Sequence, residues 1–113
     1  MTILLKRAYE APARSDGVRI LVDRLWPRGV PKTGIDLWLK DVAPSTALRQ
    51  WFAHDPDRWA EFKERYRVEL QDNPALDELR ALVAGSDVTL LYGARDETHN
   101  QAVVLKEILD GGP

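Results

Sequence analysis

Two short apolar runs open the chain. Ile3-Leu4-Leu5 precedes Lys6-Arg7, and Val18–Trp26 is nearly continuous in apolar residues from Ile20 to Val22. Runs of this length, rich in branched residues and bounded by turn formers, predict strands, the second covered on both faces of a parallel or mixed sheet. Pro27 removes a ladder donor and Gly29 permits a turn, so the second strand should stop at Trp26-Pro27-Arg28-Gly29. Ile35–Lys40 alternates only in part, and both a short strand and a helical turn remain open.

From Pro44 the spacing changes to three and four. Ser45-Thr46 offers caps for a short helix with Leu48, Trp51 and Phe52 on one face. Asp55-Pro56 predicts a second helix, whose Trp59, Phe62, Tyr66 and Leu70 line one side. Asn73-Pro74 repeats that signal for a third, with Leu76, Leu79, Leu82 and Val83 inward and Gly85 at its close. Asp87–Tyr92 then reads as a strand, followed by a polar loop, Gly93–Asn100, and a last helix starting near Thr98 with Ala102, Leu105, Ile108 and Leu109 inward. This order predicts one α/β domain over 1–113, a small parallel or mixed sheet covered by helices in a Rossmann-like layered arrangement.

Composition narrows the chemistry. The 113 residues are 44% apolar and 30% charged, an ordinary globular balance, and contain no cysteine. Disulfides, zinc–thiolate sites, iron–sulfur clusters and thiol nucleophiles are therefore excluded. No apolar stretch is long enough for a membrane span, and charge follows the N-terminal apolar run, the reverse of a secretory signal; the expected compartment is the cytoplasm. The net charge of -2 is unevenly placed. Residues 1–54 carry nine Lys/Arg against five Asp/Glu, and the remainder carry seven against thirteen. That split predicts a dipolar surface or two halves facing across a pocket or a subunit interface, and its basic excess is too small for general DNA binding.

In open α/β sheets ligands bind beyond the carboxyl ends of the strands, which selects Asp23–Gly29 and Tyr92–Asn100. Arg24 and Arg28 are suited to clamp an anion, with Lys40 assisting, because the planar guanidinium stays charged and matches two oxygens. Amides at the start of the last helix would meet the same anion. His99 is the best acid–base candidate, since a helix start disfavours imidazolium. Asp96 either orients its ring or caps the helix, and Asp23 is a further carboxylate for proton transfer or for a structural ion pair. His54, Tyr92 and Asn100 are candidate ligand contacts, each with a plain structural alternative. Of the four tryptophans, one or two could stack on a planar group. Walker, G-x-G-x-x-G, G-x-S-x-G and His-Glu-x-x-His patterns are absent, no metal-ligand spacing is present, and nothing names a cofactor.

Four blocks, Arg19–Gly29, Leu37–Ser45, Leu48–Pro56 and Thr89–Asp96 with His99-Asn100, resemble the YeaO-like branch of the domain-of-unknown-function 488 family. The resemblance runs from about residue 2 to residue 109. It implies a small cytoplasmic α/β protein of Rossmann-like character and no established activity. Other branches carry a cysteine near the last strand and a Cys-His-Arg set after it. The corresponding positions here are Tyr92 and Thr98-His99-Asn100, which keeps the histidine and loses the thiol.

The leading expectation is a pocket for a phosphorylated or nucleotide-like small molecule, with acid–base work by His99 together with Asp96 or Asp23. The alternative is a regulatory module whose basic half docks an acidic surface or nucleic acid. Self-association through the charge split is a third.

Overall fold

In the computed structural model, which describes residues 2–111, all five residues of strand β4 (Val88–Tyr92) are buried. Burial on both faces is what a continuous Val-Thr-Leu-Leu-Tyr run achieves at the centre of a sheet. β4 lies between β1 (Ile3–Arg7) and β2 (Val18–Leu21), and Leu90 pairs with Leu5 on one side and Ile20 on the other. A two-residue strand, β3 (Leu37–Trp38), extends the far edge against Ile20 and Leu21. The order is β1-β4-β2-β3 and every pairing is parallel. Met1 and residues 112–113 lie outside the described residues.

Two sequence expectations change at β2 and β3. β2 ends at Leu21 rather than continuing to Trp26: the Val22 amide still bonds the Leu91 carbonyl at 3.0 Å, and then the chain turns away from the ladder. The ambiguous stretch 35–40 adopts both forms in succession, β3 and then a 3-10 turn at Lys40–Val42.

The crossover from β3 to β4 carries α1 (Thr46–Phe52), α2 (Trp59–Leu70) and α3 (Pro74–Gly85), and β4 leads on to α4 (Gln101–Leu109). Ser45 caps α1 through the Leu48 amide, and its hydroxyl also donates to Glu69 of α2 at 2.6 Å. Asp55-Pro56 starts a 3-10 turn that runs into α2, whereas Asn73-Pro74 starts α3 directly. The last helix begins at Gln101, three residues later than its sequence predicts. Its cap is Asn100, whose side chain accepts from the amides of Ala102 and Val103 at 3.0 and 3.2 Å.

All four helices pack on one face of the sheet. Ile20, Val22, Leu90 and Tyr92 point into their core with Phe62, Tyr66, Leu79 and Leu105. The opposite face, built on Leu21 and Leu91, is covered by loop residues Ala8, Trp26, Val30 and Ile35. The fold is thus a layered α/β structure with a parallel sheet, and it departs from a doubly wound Rossmann arrangement in having helices on one side.

The loop side is tied by ions. Arg19, only 4% exposed, donates to the Gly34 and Glu10 carbonyls at 2.5 and 2.9 Å and to Asp16 at 2.5 Å. Lys6 meets the other oxygen of Asp16 at 2.6 Å. Burial alone would raise the Asp16 carboxyl, but Lys6, the Ala13 amide and Arg19 outweigh it and hold the pKa at about 2.

Candidate functional site

Because the sheet is parallel, its carboxyl ends share one edge, and two clefts of about 140 and 280 Å³ open there. They adjoin, sharing Pro44, Arg49, His54, Ala94 and Gln101. The first cleft has Phe52 and Phe62 beneath Arg49, His54 and His99. The second has Asp23 among Tyr9, Leu25, Trp26 and Pro27.

Each side chain arrives there for a local reason. Asp23 follows the end of β2, where it accepts the Gly93 amide at 2.9 Å on one carboxylate oxygen and the Gln101 amide on the other. A Cβ on Gly93 would stand 2.8 Å from that carboxylate and 3.1 Å from Pro27, so the close approach of β2's loop to β4's end requires glycine. Burial raises the Asp23 pKa, and the Gly93 amide, Gln101, Arg49 and His54 only partly offset it.

Arg49 lies on the last turn of α1, and its side chain makes no ion pair or hydrogen bond among the described residues. Beyond α1 two successive non-glycine residues, Ala53 and His54, are left-handed, with φ of 49° and 56°. Such residues cost about 1–3 kcal/mol each unless their surroundings hold them, and here they turn the chain so that His54 lines both clefts.

The β4 loop presents His99. Asp96 accepts the amides of Thr98 and His99 at 2.9 and 3.0 Å, and its second oxygen meets His99 Nδ1 at 2.9 Å. The Thr98 amide first, and then the His99 ring, hold the Asp96 carboxyl well below the usual carboxylate range. The ring stands edge-on to Trp59 at 5.2 Å. With Nδ1 tied to Asp96, Nε2 is the nitrogen left for a ligand. Asp96 therefore orients the ring and closes the turn before it, while capping of α4 falls to Asn100.

The remaining candidates are distributed differently. Arg24 borders the second cleft, but its Nε and one terminal nitrogen are committed to the Pro44 and Ala43 carbonyls, both at 3.0 Å. Arg28 is exposed and borders neither cleft, and its carbonyl accepts the Tyr9 hydroxyl at 2.8 Å. Lys40 is also outside, its ammonium 5.4 Å from the centre of the Trp38 ring. Tyr92 points into the helix-side core, where burial raises its phenol. Asn100 borders the first cleft but spends its carbonyl on α4 and its amide on the Asp96 carbonyl. The amides of Ala102 and Val103 are thereby taken by a side chain and do not face an anion.

Sequence reasoning does not single out Arg49, Gln101 or Tyr9. Their signal is tertiary, apart from the position of Gln101 immediately after a capping Asn.

Residues 2–111 match the family described as the inactive DUF488-N3 subclade. The chain belongs to that family. It is 44% identical to the uncharacterised protein Rv3073c of Mycobacterium tuberculosis, over 96% of this chain and 94% of the relative. It is likewise 44% identical to the uncharacterised protein YeaO of Escherichia coli, over 96% of this chain and 97% of the relative. No solved structure matches it significantly. For this DUF488 chain, the positions that the resemblance sets against cysteines hold a buried phenol, Tyr92, and a hydroxyl, Thr98, which donates to Asp96 at 2.9 Å. No group of three or more metal-ligating side chains occurs among the described residues, and none of its helices is long and apolar enough to cross a membrane.

Proposed function

We propose that this protein binds a small phosphorylated or carboxylated molecule in the crevice at the carboxyl ends of β2 and β4. The observation that carries this reading is the grouping of Arg49, His54 and His99 over the apolar floor of Phe52 and Phe62. The Arg49 side chain supplies a charged planar fork with no hydrogen-bond or ion-pair partner among the described residues, His54 adds a second ring, and His99, its Nδ1 spent on Asp96, presents Nε2. The phenyl floor lowers the local dielectric, which strengthens those contacts. The family description as inactive, together with a chain that has no thiol, favours recognition of the ligand over its turnover. Acid–base chemistry is a second reading, favoured by the Asp96–His99 pair alone.

Isothermal titration with inorganic phosphate and ribose 5-phosphate tests the proposal. Wild type is expected to bind the sugar phosphate, and Arg49→Ala to weaken binding at least about 10-fold, the scale of a lost charge-assisted hydrogen bond. Arg28→Ala is expected to bind as wild type does. Silence in wild type, or equal affinity in Arg49→Ala, overturns the reading. Heat that continues after saturation indicates turnover and moves the assignment to the acid–base reading.

A further inference from the structure

The two clefts differ in chemistry. Arg49 and His54 line both clefts, and what sets the second apart is a carboxylate, Asp23, with Arg24 and apolar walls beside it. An anion is repelled from a carboxylate, while a ring N–H or an exocyclic amine is drawn to it. Each Asp23 oxygen already accepts one protein donor, from Gly93 or Gln101, and has a lone pair left for another.

The walls are flat and fixed. Tyr9 is 48% exposed at the rim, yet its ring lies 4.8 Å from the Arg7 guanidinium and its hydroxyl is tied to the Arg28 carbonyl. Arg7 is in turn held by the Ala94 and Gly93 carbonyls at 2.9 and 3.2 Å. Trp26 is fixed by its indole N–H to the Val30 carbonyl at 2.8 Å, and it stands edge-on to Trp38. Leu25, 63% exposed, completes an apolar rim. A simple alkylammonium would need the carboxylate and none of these surfaces. Size points the same way: neither cleft reaches the roughly 300 Å³ at which small-molecule sites begin, and the two together do.

We infer that the second cleft is a base-stacking subsite, so that the crevice takes a nucleoside monophosphate, its base between Tyr9, Leu25 and Trp26, a base N–H on Asp23 and its phosphate on the Arg49 side. The inference rests on the anion reading above and adds the class of ligand to it. Aromatic side chains stack on any base, so the subsite favours nucleotides as a class over bare sugar phosphates.

The test is the ratio of affinities for adenosine or guanosine 5′-monophosphate and ribose 5-phosphate, measured by titration calorimetry. In wild type the nucleotide is expected to bind at least about 10-fold more tightly, the scale of one stacked base. In Tyr9→Ala and in Leu25→Ala, exposed positions whose change leaves the core intact, the ratio is expected to fall towards one. A ratio of one in wild type, with ribose 5-phosphate still bound, overturns this inference and leaves the anion site standing. No binding of either compound overturns both. A high ratio that persists in both variants places the base elsewhere and overturns the assignment of the second cleft.

Discussion

On one face of the sheet Ile20, Val22, Leu90 and Tyr92 meet four helices whose buried residues are almost all apolar. On the other, Leu21 and Leu91 meet loops pinned by Asp16, Arg19 and Lys6. The difference follows from backbone hydrogen bonding. A helix satisfies its own amides and carbonyls and needs only apolar contact with the sheet. Irregular chain has carbonyls to satisfy, and where it covers a sheet they must find donors. Arg19 serves the carbonyls of Glu10 and Gly34 from within the sheet. The connection from β1 to β2 spans residues 8–17 and holds only a 3-10 turn, and the one from β2 to β3, residues 22–36, is interrupted by Pro27, Gly29, Pro31 and Gly34, so neither lays a helix on that side. One face is therefore held by area and the other by charge, and the crevice opens at the edge where they meet.

The largest test removes the charge. Asp16→Ala would leave Arg19 and Lys6 facing a buried void, and breaking such a pair costs about 3–5 kcal/mol. Denaturant unfolding measures it, and a loss under about 1 kcal/mol would show that the loop face is held by something else. Acid gives the same contrast without mutation. The Asp16 pKa is lowered from 3.8 to about 2, so its contribution is fully present above about pH 4 and is lost as the pH falls through 2. In Asp16→Asn that part of the acid transition should disappear, leaving a variant that is weaker at neutral pH and flatter in acid.

The same contrast decides what could be read from the chain. α1, α2 and α3 were legible because their signals are local: Ser45, Asp55-Pro56 and Asn73-Pro74 mark the starts, and the three-and-four spacing marks the buried side. β4 was legible as a continuous apolar run. The strand order was not, since nothing in Ile3–Arg7 states that β4 lies between it and β2. The ion knot was hidden too, because Arg19 and Asp16 look like surface charges until the loops close over them. In the crevice, strand-end logic led to Asp23 and to His99 with Asp96. It also led to Arg28, which borders neither cleft; Lys40, offered as an assistant to the same clamp, sits after the edge strand β3 with its ammonium over Trp38. Arg49 and Gln101 come from helices whose placement depends on packing, and no spacing announces them. His54 reaches the crevice only through two left-handed residues that sequence does not mark.

A middle-sized effect belongs to the helix face. The Tyr66 hydroxyl donates to the Val42 carbonyl at 2.6 Å within a fully buried setting. Tyr66→Phe keeps the ring packing and strands that carbonyl, a cost of about 1–3 kcal/mol. If area alone holds this face, the loss will fall at the lower end of that range and will not change with salt. A loss as large as that of Asp16→Ala would break the comparison, because it would make one polar bond as decisive on the apolar side as the ion knot is on the other.

The smallest effect separates fold from site at the junction of the two. Asn100 is 2% exposed and does two jobs: its carbonyl caps α4 through Ala102 and Val103, and its amide holds the Asp96 carbonyl at 2.9 Å. Asn100→Ser retains a cap oxygen and loses the tie to the His99 loop, whereas Asn100→Ala loses both. Both variants lose the bond to the Asp96 carbonyl, and the alanine variant should be less stable than the serine variant by about 1 kcal/mol, the ordinary cost of a lost cap oxygen. Binding should order them differently. Both variants free Asp96, and with it the orientation of the His99 ring, so both should weaken ribose 5-phosphate to a similar degree despite their unequal stabilities. If affinity instead follows stability, Asn100 acts on the crevice only through α4, and the His99 loop is held by Asp96's own turn.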